Sequence, residues 1–406
     1  MTSIQRRFIK PKLRFSQFES EWDQAKMHTL TSVLRCGIAA TPTYVEDGVP
    51  FLSAQNVSRT GNITLNKYSF ISEDYYKKLS KNHSLKKGDI LYSRVGATYG
   101  NAAIFPYEGD FGVYVSLTHM RTRKGISNSY MKYFLNSPYG KRQAFRGVFQ
   151  GGGVPNLNVK VVEKFDVTYP SLPEQQKIAT FLSAVDKKIQ LLQRKKELLE
   201  QYKKGVMQKI FSQEIRFKDD DGNDYPDWEE KRLGDLADFN PKSNELPERF
   251  VYIDLESVKK GRLLKETEIE LSTAPSRAQR LLAKDDILFQ TVRPYQRNNY
   301  HFMLDGFYVA STGYAQIRAK YDARFLFHLL QHQPLVNLVI RWSTGSNYPA
   351  VNSSDLKRIL HRVPTKTEQK KIGAFLSNIE KKMESLLMQM QQIHQFKKGL
   401  LQQMFV

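Results

Sequence analysis

An α+β fold built twice is what this sequence predicts: two domains in pseudo-two-fold tandem repeat, each followed by a long helix. The two helices are expected to pair as an antiparallel coiled coil. Three observations predict this: a gapless internal repeat, apolar heptads within it, and short β-rich runs ahead of each copy. PSLPEQQKIATFLSAVDKKIQ begins at Pro170 and PTKTEQKKIGAFLSNIEKKME at Pro364, an offset of 194 residues that holds to Phe211 and Phe405. The same offset runs back through Asn158/Asn352, Pro155/Pro349 and Gly151/Gly345. A period of half the chain is too long for a solenoid unit and describes two globular copies.

Each repeat opens on a helix start, Ser171 with Glu174 and Thr365 with Glu368, which fits a capping box. Val185, Ile189, Leu192, Leu199, Tyr202 and Val206 then recur at steps of three and four, with Lys196 filling one slot. Ile379, Met383, Leu386, Met390, Ile393, Phe396 and Leu400 do the same in the second copy. A seam this long requires a partner helix. About 38 residues of helix span roughly 57 Å. Such a pair of helices would hold the two domains a set distance apart, as a ruler does.

Ahead of each helix, β-rich runs (Asp89–Ser93, Gly112–Met120, Asp286–Thr291, Phe307–Ile317) lie between Gly, Asn and Pro turn signals. Short helical patches follow near Tyr130–Asn136 and Arg324–His332, then glycine-bearing loops at Gln150–Asn156 and Thr344–Ala350. Leu-Lys-Lys-Gly-Asp-Ile-Leu-Tyr from Leu85 matches Leu-Ala-Lys-Asp-Asp-Ile-Leu-Phe from Leu282, and Arg14-Phe15…Trp22 matches Arg216-Phe217…Trp228. The linear division is therefore a first domain over 1–169, a central helix over 170–212, an acidic linker over 213–230, a second domain over 231–363 and a C-terminal helix over 364–406.

The formal charge is +21, a balance that favours phosphate backbones. It is unevenly spread: 1–169 carry +12, 170–212 carry +5, 213–363 are neutral and 364–406 carry +4. Asp219–Glu230 hold seven acids, so that stretch reads as a solvated connector. No run of about 18 apolar residues predicts a transmembrane helix, and the basic start Met1–Lys10 lacks the apolar core of a secretion signal. The one cysteine, Cys36, excludes a disulfide framework and fits a reducing cytoplasm.

A search for chemistry returns nothing that a catalytic centre needs. Ser137-Pro138-Tyr139 falls one proline short of an adenine-methyltransferase motif. Gly151-Gly152-Gly153 is not followed by the Gly-Lys-Ser/Thr of a phosphate loop, and His328 and His332 lack the glutamate of a His-Glu-x-x-His zinc site. Nucleic-acid contacts call instead for Arg, Asn, Gln and aromatic residues on loops. In the first half these are Arg94, Tyr99, Arg146, Gln150 and Asn156; in the second, Arg293, Tyr295, Gln296, Arg297, Ser346, Asn347 and Tyr348.

The Pro-x-Leu-Pro-Glu-Gln start at Pro170, the paired long helices and Gly-Asp-Ile-Leu at Gly88 resemble the specificity subunit of Type I restriction-modification systems. The resemblance implies two target-recognition domains, each reading one half of a split double-stranded DNA site. It also implies helices that space those domains and dock two methyltransferase subunits, joined by two restriction (translocase and nuclease) subunits in complexes that cut. Spacing and docking would fall on Glu174, Gln175, Ile178, Phe181, Leu182, Glu368, Gln369, Ile372, Phe375 and Leu376. S-adenosylmethionine, ATP and Mg would reside on the partners, with none on this chain, and no membrane is involved. Lys366-Thr367 replaces Leu172-Pro173, and Asp285 replaces Gly88, so the second half departs from the pattern at both motifs. A stand-alone DNA-binding regulator dimerised by its helices is the competing reading, and a single-chain methyltransferase a third.

Overall fold

The computed structural model describes residues 10–80, 84–148, 155–243, 245–345 and 347–406. The chain divides into two compact units, Met1–Leu192 with Gln389–Val406, and Gln193–Met388. Each unit takes a stretch of both long helices.

In the first unit, Asp23–Lys26 pairs antiparallel with Asp166–Tyr169 and brings the domain's start beside its end. Between them lies a four-stranded antiparallel sheet in the order Thr31–Cys36, Leu117–Thr122, Ile90–Ser93, Ala102–Ile104. A smaller sheet orders Ser69–Ile71, Val49–Leu52 and Gly112–Val113, and its last pair is parallel. The second unit repeats the plan. Its main sheet runs Ala237–Phe239, Tyr314–Ala319, Asp286–Gln290, Tyr300–His301. Its second sheet pairs Arg249–Ile253 with Tyr308–Ser311 in parallel, and Glu229–Arg232 with Leu360–Val363 makes the closing ribbon.

Two of the β-rich runs, 112–120 and 307–317, are each a pair of strands in different sheets. A turn at 115–116 and another at Thr312–Gly313 divide them. Both strands of each pair are buried, so the apolar pattern continues through the turn and hides it. The helical patches are likewise pairs. Asn128–Asn136 is followed by Pro138–Gly147, because Ser137 ends the first helix and caps the second with proline at its first turn. Gln333-Pro334 begins the matching helix Gln333–Trp342 after Ala323–Leu329.

The central helix is Leu172–Phe211 and the C-terminal helix Lys366–Gln403. In the first unit, Ile178, Leu182 and Val185 share a core with Leu400, Met404 and Phe405. In the second, Met207, Ile210 and Phe211 share one with Ile372, Leu376 and Ile379. The start of one helix thus lies beside the end of the other in both units, which makes the pairing antiparallel. Ion pairs confirm the register: Asp186 with Lys397 at 2.5 Å and Glu380 with Lys203 at 2.5 Å. Under the 194-residue offset these are the same pair used twice. Tyr202 and Phe396, expected in the seam, are 53% and 50% exposed. The lysines beside them take those slots, because each finds an acid across the seam.

The acidic linker is not purely solvated. Arg216, Phe217 and Trp228 anchor it on the C-terminal helix: Arg216 donates to Glu368 at 2.8 Å, and Phe217 meets Phe375 edge-on at 5.5 Å. The N-terminal segment does the same with Arg14 on Glu174 at 2.7 Å and Phe15 on Phe181 at 5.8 Å. Glu174 and Glu368 therefore face these arginines instead of completing capping boxes, although Thr365 Oγ1 still accepts from the Glu368 amide.

The second unit buries His328 and His332 and half-buries His361, with His332 and His361 beside Phe211. Burial pushes His332 down to about 4, His328 well below its usual value, and His361 lower in the same direction. Between about pH 6.5 and 4 the unfolded chain therefore binds protons that the folded unit refuses, and stability falls as pH falls through that window. Thermal melts should show the second unit's Tm dropping from pH 7 to pH 5 while His332→Phe flattens the slope. A pH-independent Tm would contradict the burial.

Candidate nucleic-acid interface

Both main sheets present an equivalent pair of loops. In the first unit, Ile90–Ser93 runs into Arg94 and a 3₁₀ turn at Gly96–Thr98. A bridge between Val95 and Asn156 and a bond from the Leu157 amide to the Arg94 carbonyl at 2.9 Å lay this loop against 155–157. In the second unit, Asp286–Gln290 runs into a 3₁₀ turn at Pro294–Gln296. Val292 bridges Ala350, the Arg293 amide donates to the Pro349 carbonyl at 2.7 Å, and Val351 donates to Thr291 at 3.1 Å.

This frame gathers most of the expected recognition residues. Arg94 and Asn156 adjoin in the first unit; Arg293, Tyr295, Gln296, Arg297, Asn347 and Tyr348 cluster in the second. Gln150 and Ser346 lie outside the described residues. Arg146 is exposed in the last turn of Pro138–Gly147, and Tyr99 is half-buried where its 3₁₀ turn ends. Arg94 is placed otherwise than expected for a base contact. It is 7% exposed and donates to the carbonyls of Leu157 at 2.7 Å and Val115 at 2.9 Å, so its guanidinium ties the two loops together. Asn156 stays exposed, with only a long 3.5 Å bond from Arg94. Tyr295 and Tyr348 are 51% and 65% exposed. Base contacts can come from such rings and amides, since aromatic faces stack and amide groups pair with base edges.

The backbone distinguishes the halves. Gly96 opens the first turn and Gly100 follows it, both at φ 76°. Arg293 and Arg297 flank the second at φ 55° and 54°. Left-handed backbone costs a non-glycine residue roughly 1–2 kcal/mol, and such strain concentrates where a side chain has a task. Gly88 and Asp285 show the same equivalence at φ 91° and 69°. The departure from Gly-Asp-Ile-Leu thus preserves the turn, aspartate being among the residues that tolerate this region.

The acidic residue of that motif is structural. Asp89 accepts from His119 at 2.7 Å, from Arg121 at 2.7 and 2.6 Å, and from the Lys86 amide at 2.8 Å. Burial pushes its carboxyl up, but His119, Arg121 and the amide outweigh this and hold it below its ordinary value. Asp286 is bound likewise by Gln316, Arg318 and the Ala283 amide. Carboxylates so fully paired are pins between strands. Among the described residues no His, Cys, Asp and Glu group could hold a metal ion, and no helix is long and apolar enough to cross a membrane.

The residues expected to space the domains and dock partners lie mostly inside this chain. Glu174, Gln175, Ile178, Leu182, Glu368, Gln369, Ile372 and Leu376 are all buried, and Phe181 and Phe375 are partly so. Gln175 bonds the Ser127 amide and the Pro170 carbonyl; Gln369 bonds the Pro364 carbonyl. These side chains fasten each helix to its own unit and have little surface left for another subunit. On the second unit's stretch of the central helix Leu198 and Tyr202, one turn apart, are 48% and 53% exposed. A hairpin, Val258–Lys259/Arg262–Leu263, stands apart from both sheets of the second unit. Its tip bears Lys259, Lys260 and Arg262, and the Lys260 amide bonds Asn298 beside the recognition loop at 3.0 Å. Its signal was legible as Lys-Lys-Gly-Arg between apolar residues.

Known proteins match this arrangement. A family model described as the Type I restriction modification DNA specificity domain matches residues 40–201 and again 225–395. A putative type I restriction enzyme MjaX specificity subunit of Methanocaldococcus jannaschii is 23% identical over 411 residues, covering 96% of this chain and 94% of that protein. The MjaVIII specificity subunit of the same organism is 25% identical over 355 residues, 82% and 81% of the two chains. The crystal structure of a Type-I restriction-modification S subunit from M. genitalium superposes with a TM-score of 0.63 at 15% identity, over 98% of this chain and 99% of that one. With two family matches falling on two recognition frames joined by paired helices, the chain belongs to the Type I restriction-modification specificity subunits, the DNA-binding and non-catalytic members of those systems.

Proposed function

We propose that this subunit reads a split, asymmetric double-stranded DNA site, one half through the loops at 94–99 and 155–157, the other through those at 292–298 and 347–350. The observation that carries this reading is the pair of equivalent loop frames with unlike side chains: glycines in one, Arg293 and Arg297 in the other. Equivalent frames approach DNA alike; unlike side chains read different bases. The basic hairpin at Lys259–Arg262 would add phosphate contacts that position without specifying.

The paired helices set the spacer, and two methyltransferase subunits dock on their outer surfaces, with Leu198 and Tyr202 among the contacts. Two restriction subunits complete the assembly where cleavage occurs. S-adenosylmethionine, ATP and Mg belong to those partners, and the complex works in the cytoplasm. Purified alone, the chain should bind DNA and transfer no methyl groups; mixed with its methyltransferase, it should direct adenine methylation. Methyl transfer by the lone chain would overturn the assignment. Failure to retain any methyltransferase would favour a stand-alone regulator.

A further inference from the structure

Arginine at two left-handed positions calls for two explanations, and only one is local. Arg297 donates to Gln333 Oε1 at 2.5 Å, which anchors its side chain to the neighbouring helix. The Arg293 side chain has no hydrogen bond or ion pair among the described residues, and its Nε is buried without a partner. Its guanidinium lies 4.2 Å from the centre of the Tyr348 ring. Its backbone bond to the Pro349 carbonyl does not require arginine, since the Gly96 amide makes the same bond to Pro155 at 3.4 Å. Among the described residues, the stack on Tyr348 is therefore all that engages this side chain in its strained backbone.

Stacking on an exposed tyrosine restrains the plane of the guanidinium and leaves its two terminal nitrogens as paired donors. Among the bases, only guanine offers two adjacent acceptors in the major groove, O6 and N7; adenine pairs an acceptor with a donor, thymine has one acceptor and cytosine a donor. We propose that Arg293, held on Tyr348, reads a guanine in the half-site bound by the second unit. The first unit, with Gly96 at the equivalent position, makes no such contact. This rests on the split-site reading above and adds the base and the residue.

The test maps methylated adenines in cells co-expressing the methyltransferase with wild-type chain, Arg293→Gly or Arg293→Lys. Arg293→Gly installs the residue that the first half uses in this backbone, so its Tm should equal or exceed that of the wild type. Its motif should lose one G·C requirement in one half-site, with discrimination there falling about 5- to 150-fold, while the other half-site and the spacer stay unchanged. Arg293→Lys, which lacks the planar fork, should relax the same position. An unchanged motif, relaxation at a pair other than G·C, or a uniform loss of methylation with the motif intact would overturn the proposal; the last would make Arg293 a phosphate contact. If the wild-type motif is not split, the underlying reading fails first and takes this inference with it.

Discussion

Replacing Arg14 with alanine is expected to cost the first unit about 3–5 kcal/mol, the range found when one partner of a buried ion pair is removed. Glu174 is fully buried, and Arg14 is its only side-chain hydrogen-bond donor among the described residues, through two bonds at 2.7 and 2.8 Å. Without it a carboxylate is left in the core at the first turn of the central helix. The equivalent change, Arg216→Ala, should cost less. Glu368 keeps a second donor, the Trp228 indole N–H at 3.2 Å, whereas the Trp22 Nε1 is buried with no partner. Urea unfolding with hydrogen exchange at residues 172–185 and 366–379 measures both. A loss below about 1 kcal/mol for Arg14→Ala, or a larger one for Arg216→Ala, would contradict this account of how the helices are fastened.

That pair also marks how far the sequence could be read. The repeat placed Arg14 with Arg216 and Glu174 with Glu368 at equivalent positions, but not against each other, because residues 160 and 152 apart meet only through the fold. A Ser-x-x-Glu spacing fits a capping box locally, and an arginine reaching the buried glutamate overrides it. The seam was displaced at Tyr202 and Phe396 for a similar reason: spacing ranks apolar residues inward, while Lys203 and Lys397 gain acids across the helix pair. In these loops, residue type put Arg293, Tyr348 and Arg94 on an equal footing as candidate contacts. Only burial separates an arginine that spans backbone carbonyls from one stacked on an exposed ring. Left-handed backbone at Arg293 and Arg297 has no sequence signal at all, since arginine is not a turn residue.

The second large effect concerns spacing. One heptad inserted into each helix at facing positions, after Leu192 and after Met390, preserves the apolar register and adds about 10 Å of rod. The spacer between half-sites should lengthen by about three base pairs at roughly 3.4 Å each, with both half-sites retained. An unchanged spacer would mean that the helices do not set it.

The most direct measurement is a genome-wide map of methylated adenines with and without this gene. Two unlike short motifs separated by a fixed run of unspecified bases are the predicted result. A single contiguous motif, or two identical halves, would contradict it.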